Sequence, residues 1–331
     1  MRIEPFDPLT ADEATATAWA DLCLELAPAW TPAGLPPTRE AILTDARHIP
    51  EDRRNYYWVA YDGDAMVAGI EISWNEAPDN RNRLWLHFDA PPERCTPDVL
   101  GALAAAAADV AEPAGRTLLN VETPQGSPAG EWVASRGGTL GSVEQVNVVR
   151  FDAVDRADVA ALAATAPEGY ELVRFDGRVP DELVEEFVRL NQSMNDAPRD
   201  DLTMEDWTFT PERLRRYEDC IARRGHEFWT VVARHRESGE FAAFNQLVGY
   251  PEWPEVIENE DTAVTAKHRG HGLGLWVKAA NLQRAMERPG ARAVLTWNAA
   301  SNEHMLRVNR RLGFVCEHTW ESWELDVAKV R

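Results

Sequence analysis

Val264-Thr-Ala-Lys-His-Arg-Gly-His-Gly-Leu-Gly274 is the stretch on which the reading of this chain turns. An apolar strand enters a basic, glycine-rich turn, and an amphipathic run opens directly behind it. A turn of this kind at a helix start aims free backbone N–H groups and the positive end of a helix dipole at one point, which suits a diphosphate. Gly270, Gly272 and Gly274 carry no Cβ, so an anion can approach the backbone closely and a positive φ costs little. Arg269 adds a permanent cation at the mouth, and His268 and His271 can add donors.

Two other phosphate loops do not fit. A dinucleotide fold wants G-x-G-x-x-G near the start of a parallel sheet, with an acidic residue about 20 positions later. Here the spacing is R-x-x-G-x-G, it lies late in the chain, and no acidic strand end follows at that distance. The G-x-x-x-x-G-K-[ST] loop is absent.

Outward from the turn, the C-terminal side reads as a helix over 273–286, a strand over 293–297, a helix over 302–312, Leu312-Gly313-Phe314, and a strand over 314–326. Strand, R-x-x-G-x-G turn, helix, strand, helix, L-G-F, strand: this order resembles the core of the GNAT superfamily of acyl-CoA-dependent N-acyltransferases. Arg269, Gly270, Gly272 and Gly274 carry the likeness in the turn. Asn298 lies on the next strand and Asn302 opens the next helix. Ahead of the turn, a strand at 170–175, helices at 180–192 and 211–224, a hairpin at 228–234 and 241–249, and a strand at 256–266 complete the set.

The first half repeats the order more loosely: a strand at 1–6, helices at 11–27 and 38–48, and a hairpin around Asp62-Gly-Asp64. A strand at 84–88, an Ala-rich helix at 97–111, a strand at 116–121, a helix at 127–136 and a strand at 138–151 follow. Where the glycine turn belongs stands Ala90-Pro-Pro-Glu-Arg-Cys-Thr-Pro97. Prolines remove backbone donors and Glu93 adds negative charge, so a diphosphate is poorly received there. The chain is therefore read as α/β with a mixed (α+β) sheet: two tandem GNAT folds, each a mostly antiparallel twisted sheet flanked by helices. Residues 1–151 form a degenerate copy, 152–169 a connector with a short helix, and 170–331 the catalytic copy. The layout resembles two-copy GNAT proteins of actinobacteria, including mycothiol synthase, though the local motifs depart from the pattern of that enzyme.

Composition agrees with two domains able to bury their own cores: 331 residues, 44% hydrophobic and 27% charged. A formal charge of −21 repels nucleic acid and anionic membranes and attracts cations. No apolar run approaches the ~18 residues of a membrane span, and the first residues lack a signal core, so a cytoplasmic protein is expected. Cys23, Cys95, Cys220 and Cys316 are too scattered for a C-x-x-C pair or a zinc site, and free thiols and no metal are expected. Most of the 13 tryptophans are expected in cores or groove walls.

The resemblance implies acetyl-CoA as co-substrate and a primary amine as acceptor. It assigns the pantetheine amides to backbone groups of Val264 and Ala266. The pyrophosphate falls to amides of the turn, which also includes Thr265, His271 and Leu273. Asn298, Asn302 and Asn309 are placed against the coenzyme. Many GNAT enzymes carry a glutamate on the preceding strand six residues before the valine position, which here is Glu258. Strict alternation puts Glu258, Glu260, Thr262 and Val264 on one face of that strand and Asp261 on the other. Crowded carboxylates raise one another's pKa, so Glu258 or Glu260 is the expected base. The family's tyrosine acid, five residues before the phenylalanine of L-G-F, is replaced by Asn309. An amide there donates a hydrogen bond to sulfur but no proton.

The loop of 195–207 carries Asn195, Asp196, Asp200, Asp201, Glu205, Asp206 and Trp207. A carboxylate rim with an aromatic wall suits a small cationic amine, with Asp196, Asn195, Trp207 and Asp261 as expected substrate contacts. The expected protein is an N-acetyltransferase of a small cationic metabolite or antibiotic, a monomeric pseudo-dimer or a homodimer. Two other readings stand beside it: a sensor that binds acyl-CoA without turnover, and a mycothiol-synthase-like acetyltransferase.

Overall fold

A computed structural model describes residues 1–331. In the first half the elements are β1 (Arg2–Phe6), α1 (Glu13–Leu26), α2 (Arg39–Arg47), β2 (Arg53–Asp62), β3 (Ala65–Asn75) and β4 (Arg83–Asp89). Then follow α3 (Pro97–Ala111), β5 (Leu118–Pro124), α4 (Pro128–Ser135) and β6 (Thr139–Arg150). The connector holds α5 (Arg156–Ala164). The second half runs β7 (Tyr170–Asp176), α6 (Val184–Asn191), α7 (Pro211–Arg223), β8 (Glu227–His235), β9 (Phe241–Gly249) and β10 (Val256–Val264). It ends with α8 (Leu273–Ala285), β11 (Ala293–Ala299), α9 (Glu303–Arg311) and β12 (Val315–Asp326).

Local chemistry sets most boundaries. Thr96, Ser127 and Thr210 cap α3, α4 and α7 through their hydroxyls, each with a proline just inside the helix. The β2–β3 hairpin turns at Gly63, whose φ of +59° a side chain adopts rarely.

All twelve strands join one mixed, mostly antiparallel sheet in the order β1-β2-β3-β4-β5-β12-β6-β11-β10-β9-β8-β7. The last strands of the two halves are exchanged: β6 pairs with β11, and β12 lies between β5 and β6. The two copies thus share one sheet rather than touching as separate bodies, a non-local pairing that strand periodicity does not encode.

Helices cover both faces. α3, α4, α5, α8 and α9 bury one face, where Leu100 and Leu103 pack on Ile70 and Ile72, and Ala279 and Leu282 pack on Ile257 and Val294. α1, α2, α6 and α7 cover the other, with Trp19 on Tyr57 and Ile221 among Phe228, Val248 and Val256. Each fully buried Leu or Ile side chain contributes roughly 1.5–3 kcal/mol, so these paired layers hold the sheet. On this second face the helices leave an open trough across the shared strands, and the candidate chemistry lies there.

Candidate active site

β10 and β11 pair in parallel only from Val256 to Glu258, opposite Ala293 to Leu295, and then diverge. Beyond that point the β11 side of β10 has lost its partner strand, and the gap leads to the glycine turn. Gly270 and Gly272 take φ of +85° and +75°, and a Cβ on either would meet nothing within 4 Å. α8 starts at Leu273 with Gly272 as a cap that has no side chain to offer. The backbone amides from Gly270 to Leu275 find no acceptor within the chain. Orphan donors around a helix N-terminus with empty space in front form an anion cradle. Gly274 serves differently: its Cα side lies against Val264, with a built Cβ only 3.4 Å from Val264 Cγ2. This glycine lets α8 close onto β10.

The first half offers no such cradle. Ahead of α3, the Arg94, Cys95 and Thr96 amides donate to Pro91, Pro92 and Arg94 carbonyls, and the Thr96 hydroxyl takes the Val99 amide.

The residues around the turn divide into two groups. Thr265 donates its amide to the Ala242 carbonyl (2.9 Å), extending the ladder, and Leu273 is buried. His271 is exposed beside Tyr170. His268 is not at the mouth: it is buried beneath the turn with Nδ1 2.9 Å from the Tyr170 hydroxyl. Arg269 pairs with Asp196 and donates Nε to the Val264 carbonyl (3.3 Å). Asp196 is thereby engaged with the donor side of the site. Because main-chain donors dominate the cradle, Arg269→Ala is expected to weaken coenzyme binding only about three- to tenfold, read by calorimetry.

β10 does not alternate strictly. Asn259 is opposite Leu247 and Thr262 opposite Asn245, so a bulge inserts one extra residue. Glu260 and Asp261 consequently line the same cavity of about 210 Å³ with Asn191, Tyr217, Gln246 and Arg213. Thr262 and Val264 turn instead toward the α8 face, where Thr262 Oγ1 accepts from Asn245 (2.8 Å) and Val264 packs beside Leu273. The expectation of one face for Glu258, Glu260, Thr262 and Val264, with Asp261 opposite, is corrected here. A buried amide network fixes the bulge. Asn281 Nδ2 of α8 donates to the Asn245 side chain (2.9 Å) and main chain (3.0 Å). Asn245 Nδ2 donates to Asn259 Oδ1 (2.8 Å), and Asn259 Nδ2 donates to the Glu260 carbonyl (2.9 Å).

The three carboxyl groups stand in different surroundings. Burial pushes Asp261 up to about 6. Glu260 lies open along the groove, and its desolvating walls, followed by the Glu258 and Asp261 charges, drive it upward. Glu258 is raised by burial, opposed by the Tyr250 hydroxyl donating to its Oε2 at 2.5 Å. Glu258 is thus occupied by Tyr250, whereas Glu260 and Asp261 carry no side-chain hydrogen bond within the chain.

On the far side of the gap, Asn309 is buried and donates Nδ2 to Asn298 Oδ1 (2.6 Å), and Asn302 caps α9 through the Met305 amide (3.1 Å). The structure brings Asn298 and Asn309 together at the end of β11 and on α9.

The 195–207 loop departs from the expected rim. Glu205 takes the Asn80 amide (2.8 Å), Asp200 accepts from Ser142 (2.7 Å) and Ser301, and Asp206 pairs with Arg199 (2.8 Å). Asn195 clamps the Trp207 backbone at both ends (2.9 and 3.0 Å), and the Trp207 indole stacks on Trp85 at 5.7 Å. Glu205 and Asp200 tie the loop to the first half, Asp206 pairs within the loop, and the exposed Asp201 carboxylate has no partner. Asn191, Tyr217 and Gln246 were not singled out from sequence, because on an amphipathic helix or a strand they read as ordinary facing residues. Asn281 did leave a trace, as a polar residue on the apolar face of α8.

Residues 189–314 match the acetyltransferase (GNAT) family model. Over 98% of its length the chain superposes on 98% of a tandem GNAT protein from the clavulanic acid biosynthesis pathway, with a TM-score of 0.78 at 24% identity. A GCN5-related N-acetyltransferase from Sphaerobacter thermophilus aligns over 98% of this chain and 95% of its own, with a TM-score of 0.71 at 16% identity. No curated protein matches the sequence.

Proposed function

We propose that this chain, which carries a GNAT-family acetyltransferase domain over residues 189–314 and has the tandem GNAT fold along its whole length, moves an acetyl group from acetyl-CoA to the primary amine of a small cationic metabolite. The observation that carries the proposal is the run of unpaired amides from Gly270 to Leu275 facing open space. The chain has no helix long and apolar enough to cross a membrane, and its four cysteines are free, in keeping with a cytosolic enzyme.

In this reading the cradle amides hold the pyrophosphate, and the unpartnered edge of β10 toward Val264 and Ala266 takes the pantetheine amides. Acceptor ammonium enters the cavity between α6, α7 and the bulge. Glu260 or Asp261 accepts its proton, directly or through water, and the freed amine attacks the thioester carbonyl. The bulge matters because it presents both carboxylates to one cavity, so one can stay protonated while the other ionises. As the carbon–sulfur bond breaks, Asn309 supplies no proton, so the leaving thiolate takes its proton from water. A fused pseudo-dimer fits the shared sheet, with the first half bracing the acceptor trough.

The direct test is thiol release from acetyl-CoA across a panel of amines. Asp261→Asn and Glu260→Gln are each expected to lower kcat/KM about 10- to 100-fold, and the double variant further, within the range of general-base catalysis. A base must be ionised, and burial raises this carboxyl, so activity is lost as pH falls through about 6. Asp261→Asn should displace that acid limb. Unchanged turnover and pH profile in both single variants would place the base elsewhere. The sensor reading is favoured by one observation, the amide at position 309 with its donor turned to Asn298. Under that reading the protein binds acetyl-CoA and releases no thiol with any amine.

A further inference from the structure

The half without a cradle still contains a built cavity. Beneath α1 and α2 the trough opens into about 440 Å³ of space, floored by Glu71, Asp89 and Glu122 and walled by Trp30, Trp297 and Trp320. We propose that this cavity is a second ligand site, which binds an organic ammonium ion in the N-terminal half without any coenzyme.

The charge balance at the floor is the first argument. Two cations line the cavity: Arg224, at the end of α7, is paired with Asp45 (3.0 Å), and the Arg53 guanidinium is held by Ser73 (2.8 Å) and Glu71 (3.4 Å). Glu71 is further satisfied by the Asn55 amide (2.7 Å). Asp89 and Glu122 form no ion pair with either arginine, and Arg53 acts on Glu122 only from a distance.

Asp89 is the second argument, independent of the cluster. Its residue is only 6% exposed and it faces the cavity, yet no N–H or hydroxyl donor of the chain reaches it. Its neighbours are the weak Cys23 thiol and His87 Nε2 at 3.6 Å. The Asp89 oxygens open onto the cavity rather than being sealed off, so their donors must come from solvent or a ligand there. Burial pushes Asp89 up to about 7, and Glu122, open to the cavity, is raised by its desolvating walls and by the Glu144 charge. The groups facing them are Cys23 of α1, Asp45 of α2, Arg53 and Tyr57 of β2, Glu71 of β3, His87 of β4, Glu144 of β6 and Arg224 at the end of α7. Burial lowers the His87 pKa, so that ring stays neutral near pH 7 and does not neutralise Asp89.

The walls are the third argument. His87 stacks on Trp320 at 5.7 Å, and Trp320 meets Trp297 edge to face at 5.6 Å. Trp320 is buried between these rings, so the half-buried Trp30 and Trp297 supply the open indole surface, and such surface next to carboxylates favours an organic cation by about 0.5–2 kcal/mol per cation–π contact. A bare metal ion is the wrong size for this space, and no His, Cys, Asp or Glu trio is gathered closely enough to hold one. Organic ligands of small-molecule size occupy cavities of this order. Lining residues link the cavity onward to the acceptor pocket: Glu71, His87 and Glu122 also border a neighbouring cavity that reaches Trp207, and Trp207 and Asp261 share the next one.

The test is calorimetry on the full chain with no coenzyme present, using cadaverine, spermidine and the neutral isostere 1,5-pentanediol. Expected are saturable binding of an amine, none of the diol, and affinity about tenfold or more weaker in Asp89→Asn and in Glu122→Gln. Glu122 is open to the cavity, so Glu122→Gln reads binding without risk to the fold. Gly272→Asp, which blocks the coenzyme cradle, is expected to leave the amine isotherm unchanged. The site therefore stands or falls separately from acetyl transfer. Absence of amine binding up to about 10 mM, equal binding of the diol, or affinity within twofold in both carboxyl variants would overturn the proposal.

Discussion

Gly272→Asp is expected to lower acetyl-CoA affinity about 100-fold or more while the protein remains folded. Two effects add. A carboxylate enters the point where unpaired amides and the start of α8 converge, and it competes for the donors that a pyrophosphate needs. It also fills space that is open in the structure, since a Cβ at Gly272 meets nothing within 4 Å. The backbone penalty is modest, because φ is +75° and aspartate tolerates the left-handed region better than most residues. The control is Gly115→Asp behind α3 in the first half, which has a nearly equal φ of +71° and the same open surroundings. Both variants carry nearly the same strain and the same added charge, and only the cradle variant should lose coenzyme. Calorimetry with acetyl-CoA decides it. Equal affinities in the two would mean that the glycine turn does not hold the pyrophosphate.

How much of this was legible beforehand depends on how far apart the partners lie in sequence. The cradle is local: strand, turn and helix start are contiguous, and its glycines and basic residues could be read in order. The tandem order of elements was legible for the same reason, since capping residues, hairpin glycines and apolar periods act within a few positions. The bulge on β10 was not. It is fixed by Asn245, Asn259 and Asn281 from three elements, and strict alternation is the right expectation for a strand until such a network overrides it. That override moved Asp261 onto the Glu260 side and turned Thr262 and Val264 away. The acidic loop misled for a related reason. Glu205 meets Asn80 across 125 positions, and composition cannot say whether a carboxylate is free or spent. The exchanged strands β6 and β12 belong to the same class. Their periodicity is that of any strand, and only the assembled sheet gives their neighbours.

Lys278→Met is expected to stabilise the protein by up to about 4 kcal/mol at pH 7, an order-of-magnitude figure from the size of the pKa displacement. Lys278 sits on the buried side of α8, its residue 2% exposed, with Nζ 5.0 Å from the centre of the Phe314 ring and without a hydrogen-bond partner. Burial lowers its pKa from 10.5 to about 7. The sign follows from proton counting. Between about pH 7 and 10.5 the unfolded chain holds this proton and the folded chain sheds it, so folded-state stability rises with pH across that window. Below about 7 the full penalty of a buried charge, or of forcing it neutral, is present. Methionine keeps the length and flexibility of the side chain, keeps contact with the Phe314 ring, and removes the charge. Denaturant unfolding of both proteins at pH 7 and pH 10 gives the answer. The wild-type midpoint should climb over that interval relative to the variant, and the two should converge at the alkaline end. A variant less stable than wild type at pH 7, or a stability gap that does not narrow with pH, would show that Lys278 has a partner in solution. The lysine would then be a fixed element of the α8 layer that supports the cradle.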